Sequence, residues 1–192
     1  MSAWIRLVPD DEADDTLVEA LDQARTPHGT VDNVMRVHSL RPGTMRGHTM
    51  LYRACLHNER NTVPAWFQEV VGSYVSIING CGYSEANHWA NARHLIDDAE
   101  RADRIEAALR SRRPPDAFLG RELTALQYAE KLTLRPAEME ERDVTALRES
   151  GWDDGQILEL NQIICYFSYA NRLLNGLGVT TEGDVVGYYS RP

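Results

Sequence analysis

The chain has 192 residues, 43% of them apolar and 26% charged, with 29 acidic against 20 basic side chains and a net charge of −9. That length suits one domain with an added arm. The acidic balance disfavours wrapping a phosphate backbone, and no run reaches the roughly 18 apolar residues of a membrane span, so neither nucleic acid nor membrane is an expected partner. The N-terminal stretch MSAWIRLVPDDEADD turns acidic where a secretory leader is apolar, which predicts a cytosolic protein.

Residues 1–9 read as an extended arm, and residues 11–24 as a short amphipathic helix with Leu17, Val18 and Leu21 on an acidic background. The Pro27-His28-Gly29 stretch ends it, residues 31–40 form a weaker helix, and Pro42 opens the next. Pro64 precedes AWFQEVVGSYVSII, apolar on most sides and therefore a buried helix. A single long helix is expected through residues 89–110, then a linker at Arg113-Pro114-Pro115-Asp116. Residues 118–134 form another helix, Pro136 begins one more that closes at Gly151, and Asp153 or Asp154 caps a last long helix ending in glycines. The tail from residue 179 reads as loosely ordered or as pairing with another subunit. No strand-like alternation or solenoid repeat persists. The expected fold is all-α, seven or eight helices, divided as an arm and short helix (1–30), a helical domain (31–180) and a tail (181–192).

The chemistry concentrates between residues 69 and 88. If a helix starts near Cys81, then Cys81, Ser84 and His88 share one stripe by their spacing of three and four. A thiol at a helix N-terminus is biased toward thiolate, and the flanking Gly80 and Gly82 let other groups approach it. Equally, a lone cysteine is often a small buried apolar residue. His88 has the side chain of a base or proton relay. Glu69, in an otherwise apolar helix, is costly unless partnered, and it is placed to orient His88 in the manner of nucleophile, base and orienter. Tyr83 supplies a phenol to the same pocket or caps the core. Cys55 and Cys165 sit in apolar runs and read as core. Three cysteines are an odd set for a disulfide framework. The Glu69, Cys81 and His88 spacing makes a poor metal site, and there is no glycine-rich phosphate loop.

These residues resemble the core motif of the AhpD-like, or carboxymuconolactone decarboxylase, superfamily, and its peroxidase-related branch in particular. Glu69, Cys81, position 84 and His88 fall in that family's register of a glutamate, a Cys-x-x-Cys pair and a histidine. Ser76, Asn79 and Tyr83 match its wording, and Tyr169-Ala170-Asn171-Arg172 with Gly176-Leu177-Gly178 resembles its closing helix. The resemblance covers roughly residues 40–180. It implies a helical bundle and a thiol-dependent alkyl hydroperoxide reductase. In that cycle the second cysteine is oxidised to sulfenic acid and the first closes a disulfide with it. The glutamate and histidine relay protons, and a thiol or lipoyl-type reductant restores the enzyme. It also implies a homo-oligomer (dimer, trimer or hexamer) and no haem, flavin, metal or other cofactor.

The departure is Ser84, which stands where the family places its second cysteine. A hydroxyl has no counterpart to the sulfenic step, so the two-cysteine cycle is broken in this chain. Three accounts are open. Ser84 is an engineered replacement of a reactive cysteine; or it is natural, with Cys81 working alone against an external thiol; or peroxide chemistry has been lost. The leading functional expectation is a peroxide-reducing thiol enzyme or a direct descendant of one; the alternatives are lactone or β-keto acid chemistry in the same pocket with His88 or Glu69 as base, and a non-enzymatic helical oligomer.

Overall fold

A computed structural model describes residues 2–189. Among them are nine α-helices and no strand: α1 (Asp15–Gln23), α2 (Asn33–Arg36), α3 (Pro42–Leu56), α4 (Ala65–Ile78), α5 (Gly82–Ile96), α6 (Ala99–Arg110), α7 (Gly120–Leu134), α8 (Glu141–Glu149) and α9 (Asp154–Leu177). The all-α expectation holds, and the helix starts mark themselves chemically. Pro42 occupies the first turn of α3 and Pro64 is the N-cap of α4. Asp14 caps α1 by accepting from the Leu17 N–H, and Asp153 forms a capping box with Gln156 at the start of α9. At its other end α9 stops at Gly178, which is left-handed at φ 59°.

Helix α4 is the centre of the bundle. Ten of its residues are buried, from Phe67 to Ser76, and it packs against α5, α7 and α9. Its contact with α9 depends on Gly72, because a Cβ there would lie 2.3 Å from the Phe167 ring. Around it, Phe67, Tyr74, Leu109, Leu126, Leu147, Leu160, Ile163 and Phe167 form the main core. Removing that apolar area from water is the chief stabilising contribution. A second cluster joins α1 to α3 through Leu17, Leu21, Met35 and Met45.

The turn between α4 and α5 sets the site. Gly80 is left-handed at φ 62°, its N–H donates to the Ile77 carbonyl at 3.1 Å, and the Cys81 N–H donates to the Ser76 carbonyl at 2.9 Å. This is a Schellman ending, and it folds α5 straight back along α4.

Three sequence expectations are corrected here. The long helix over 89–110 is two helices: Asp97 is left-handed at φ 50°, and the Asp98 side chain accepts from the Arg101 N–H to start α6. Pro136 opens a 3-10 turn, Pro136–Glu138, and a capping box at Glu140 then starts α8. Cys165 faces out from α9 and is exposed, whereas Cys55 is buried. The described part of the tail, residues 179–189, lies against its own chain, and the rest of that expectation falls on residues 190–192, outside the described residues. Thr180 N–H donates to the Ser2 carbonyl at 3.0 Å and Trp4 N–H to the Leu177 carbonyl at 2.8 Å, pairing arm and tail. Further along, the Asp184 carboxylate accepts from the Asn33 N–H at the start of α2.

Candidate active site

Because α5 is folded against α4, His88 meets Glu69. His88 Nδ1 lies 2.7 Å from Glu69 Oε2, and the Asn91 side-chain amide donates to Glu69 Oε1 at 3.2 Å. The Glu69 residue is 2% exposed. Such a carboxylate is tolerable in the core only because both of its oxygens are met. The bond to Glu69 fixes the imidazole with Nδ1 toward the carboxylate and Nε2 on the opposite edge of the ring, the arrangement of an oriented base. The Phe167 ring packs edge-on against His88, with centroids 4.5 Å apart.

His88 lines a cavity of about 90 Å³ between α2, α3, α5, α9 and the tail. Ser84 lines it too, one helical turn before His88. The rings of Tyr52, Tyr166, Phe167 and Tyr188 form part of the other walls, beside polar and charged residues that include Arg25, Asp32 and Arg53. The tail forms a roof. Gly187 N–H donates to Asn87 Oδ1 at 3.1 Å, Tyr188 N–H donates to Asn91 Oδ1 at 2.6 Å, and the Tyr188 ring stacks on His57 at 4.5 Å. Asn91 therefore bridges the roof and the buried Glu69. The tail is also held by Asp184, which accepts from the Tyr83 hydroxyl at 2.5 Å.

The sequence places Glu69, Cys81, Ser84 and His88 together, with Tyr83 in support. The structure joins Glu69 to His88 and puts Ser84 and His88 on the cavity wall, but Cys81 is not on that wall. It is wholly buried in an apolar cluster with Ala3, Val37, Tyr83, Leu174 and Val179, of which Tyr83 also lines the cavity. The reason is local. Cys81 is the N-cap of α5, with φ −96° and ψ 89°. From that position its side chain meets the Ser84 side chain, which lines the cavity, while its own sulfur is shut off from it. Burial also decides its ionisation. It pushes the Cys81 thiol up from its ordinary value, against the opposing pull of nearby Ser84 and Tyr83 hydrogen-bond donors. The thiolate bias expected at this helix N-terminus is outweighed. Tyr83 lines the cavity, but its hydroxyl is engaged with Asp184 and the Val34 N–H.

Sequence reasoning missed the roof, residues 184–188, and the groups at the far side of the cavity. Asp32 lines it, with its carboxyl pushed up to about 6 by burial and by the neighbouring Asp184 charge. A buried relay also ends there. Thr44 Oγ1 bonds His38 Nδ1 at 2.8 Å, His38 Nε2 bonds His48 Nδ1 at 2.9 Å, and His48 Nε2 bonds the Tyr166 hydroxyl at 3.0 Å. Burial, with His38 beside it, pulls His48 down to about 3, so it is neutral near pH 7. Among the described residues, no group of three or more His, Cys, Asp or Glu side chains is disposed to hold a metal ion.

No protein-family model matches the sequence, and no curated protein does. Solved structures do match. The alkylhydroperoxidase AhpD core of a peroxidase-related protein from Ralstonia eutropha JMP134 superposes with a TM-score of 0.78 at 22% identity, over 96% of this chain and 94% of that one. A peroxidase-related protein from Silicibacter sp. TM1040 gives 0.80 at 23% identity, over 95% and 93%. The debrominase Bmp8 gives 0.73 at 15% identity, over 95% and 92%. The class is thus settled at the level of architecture: an all-helical protein with the AhpD-like fold. Its structural counterparts are peroxidase-related proteins, and a debrominase shares the same frame.

Proposed function

We propose that the chain is an enzyme of AhpD-like fold whose chemistry is proton transfer on a small organic substrate in this cavity, with His88 as the general base and Glu69 as the residue that orients it. One observation carries the reading: a buried carboxylate at 2.7 Å from an imidazole that reaches a cavity. A carboxylate in that place costs stability that an apolar residue would not, so its retention points to use. Lactone opening and decarboxylation of a β-keto acid are reactions this pair can serve, and a brominated aromatic joins them as a test substrate because a debrominase has the same fold.

Peroxide reduction by a thiol is the second reading, favoured by the peroxidase-related structures of the same fold. It would have to run through Cys81, with an outside thiol as resolving partner. The burial of Cys81 away from the cavity and its raised thiol pKa count against it.

The two separate in one set of assays. Turnover of lactones, β-keto acids and brominated aromatics is compared with peroxide consumption under a dithiol reductant, for this chain, Cys81→Ser, His88→Gln and Ser84→Cys. The proposal expects Cys81→Ser to keep turnover and His88→Gln to lose it, with no peroxide consumption by the chain itself. Peroxide consumption that disappears in Cys81→Ser would establish the second reading instead. Gain of peroxide consumption only in Ser84→Cys would mark the loss of an ancestral thiol cycle at that position.

A further inference from the structure

The roof of the cavity is pinned by hydrogen bonds at three points. Asp184 accepts from the Tyr83 hydroxyl and the Asn33 N–H, the Gly187 N–H donates to Asn87 Oδ1 at 3.1 Å, and the Tyr188 N–H donates to Asn91 Oδ1 at 2.6 Å. Gly183 and Gly187 are left-handed, at φ 87° and 90°, and bend the segment so that it reaches all three. Stacking of Tyr188 on His57 and of Tyr189 on His94 adds to the hold.

Two of these pins are asparagines one turn apart on α5, and they differ at their other end. The Asn87 amide donates to the Tyr83 carbonyl of its own helix, so it ties the roof to α5 and to nothing deeper. The Asn91 amide donates to Glu69 Oε1 at 3.2 Å, and Glu69 Oε2 lies 2.7 Å from His88 Nδ1. A carboxylate accepts and a backbone N–H donates, so one orientation of the Asn91 amide serves both neighbours and the flipped one serves neither. Asn91 and Glu69 are each 2% exposed, which leaves little room for water to replace either bond. A continuous line of hydrogen bonds therefore runs from the roof, through Asn91 and Glu69, to the imidazole of His88.

We propose that Asn91 is a positioning residue that couples the tail to the base: with residues 184–188 seated over the cavity, the His88–Glu69 pair is held in working orientation, and with the tail lifted it is loosened. When the Tyr188 N–H withdraws, Asn91 keeps one bond of two and regains rotamer freedom, and Glu69 Oε1 loses its fixed donor. The coupling is reciprocal, so whatever disturbs Glu69 loosens Tyr188. Turnover is thereby tied to the state in which the roof is closed. Calling the effect catalytic rests on the acid–base reading above; the coupling itself does not.

The test compares two variants of the full chain, Tyr188→Pro and Tyr188→Ala. Both lose the ring, and only the proline also loses the N–H given to Asn91. Residue 188 lies outside the main core, so both are expected to fold. By NMR, the Nδ1 proton of His88 is expected to exchange with water about 3- to 10-fold faster in Tyr188→Pro than in Tyr188→Ala, the worth of one hydrogen bond. The reverse arm is Glu69→Gln, which keeps the shape of the side chain and weakens it as an acceptor. The Tyr188 N–H should exchange about 3- to 10-fold faster there, with the buried Leu109 amide as the reference for the fold. Equal His88 exchange in the two Tyr188 variants overturns the proposal, and so does Tyr188 exchange in a folded Glu69→Gln within two-fold of the parent. On an accepted substrate, Tyr188→Pro should lower kcat about 3- to 10-fold relative to Tyr188→Ala with KM shared; a difference confined to KM would make the tail a binding wall and overturn the coupling. A parent without turnover removes the acid–base reading, and the exchange measurements then decide the coupling alone.

Discussion

Two ends of one helical turn lead into different surroundings. At the N-cap of α5, Cys81 is enclosed by Ala3, Val37, Leu174 and Val179. One turn later, Ser84 and His88 open onto the cavity, and behind His88 stands a buried carboxylate. The thiol is close in sequence to the imidazole, yet only the imidazole lines the cavity. A reactive-type side chain is useful only where it has both a partner that tunes it and a route to the substrate; His88 has both, whereas Cys81 is tuned by Ser84 and Tyr83 but is itself wholly buried and off the cavity wall.

The largest way to break this contrast is at His88. Loss of a general base costs about 10²- to 10⁴-fold in kcat/KM, so His88→Gln should lose that much turnover on any substrate the chain accepts. An effect below ten-fold would remove His88 from the chemistry. Next is Glu69→Ala, which strands the imidazole and the Asn91 amide in the core. Removing one member of a buried pair costs about 3 kcal/mol or more, and for a chain of this size that is a fall in Tm of roughly 6–12 °C. Scanning calorimetry checks it, and an unchanged Tm would mean the pair is not buried as described. Gly72→Ala tests the wall behind the site. Its Cβ would lie 2.3 Å from the Phe167 ring, which packs on His88. Overpacking of this kind costs about 1–3 kcal/mol, and the variant should show displaced Phe167 ring signals by NMR.

Asp32 gives a smaller effect with a defined sign. Its folded-state value of about 6 lies above the ordinary 3.8, so the fold holds the proton more tightly than the unfolded chain does. Above about pH 6 the ionised group therefore costs stability, and below about pH 4 that cost is gone. Asp32→Asn is expected to raise Tm at about pH 8 by a few degrees, corresponding to about 1 kcal/mol for a partly solvated group, with the gain closing as pH falls below about 4. A variant less stable than the parent at about pH 8 would show Asp32 to be a structural residue rather than one held at a cost.

The helices were legible where their ends carry chemistry: Pro42, Pro64, Asp153 and Gly178 all sit where the sequence places them. The break between α5 and α6 was hidden because Asp97 and Asp98 suit an exposed helix face as well as they suit a left-handed turn and an N-cap. The Glu69–His88 contact was readable, since a carboxylate in an apolar helix needs a partner and a short glycine turn brings α5 back to it. Cys81 misled because its side chain meets Ser84 while its sulfur is shut off from the cavity. The roof had no signal at all, being held by backbone N–H groups of Gly187 and Tyr188 on two asparagine side chains.

The smallest effect belongs to Cys81, and it sharpens the contrast from the other side. Cys165 is exposed, while Cys55 and Cys81 are buried. Burial raises the pKa of all three thiols, so alkylation should be slow at neutral pH and faster above it. Exposure then selects among them. Iodoacetamide at about pH 8 should add one label to the native chain, at Cys165, and three after unfolding, as read by intact mass and peptide mapping. Cys81→Ser should change turnover by less than about three-fold, because Cys81 does not line the cavity and a hydroxyl can keep its contact with Ser84. Rapid native labelling of Cys81 would place its sulfur within reach of solvent, and the division of α5 into a dry end and a reactive end would fail with it.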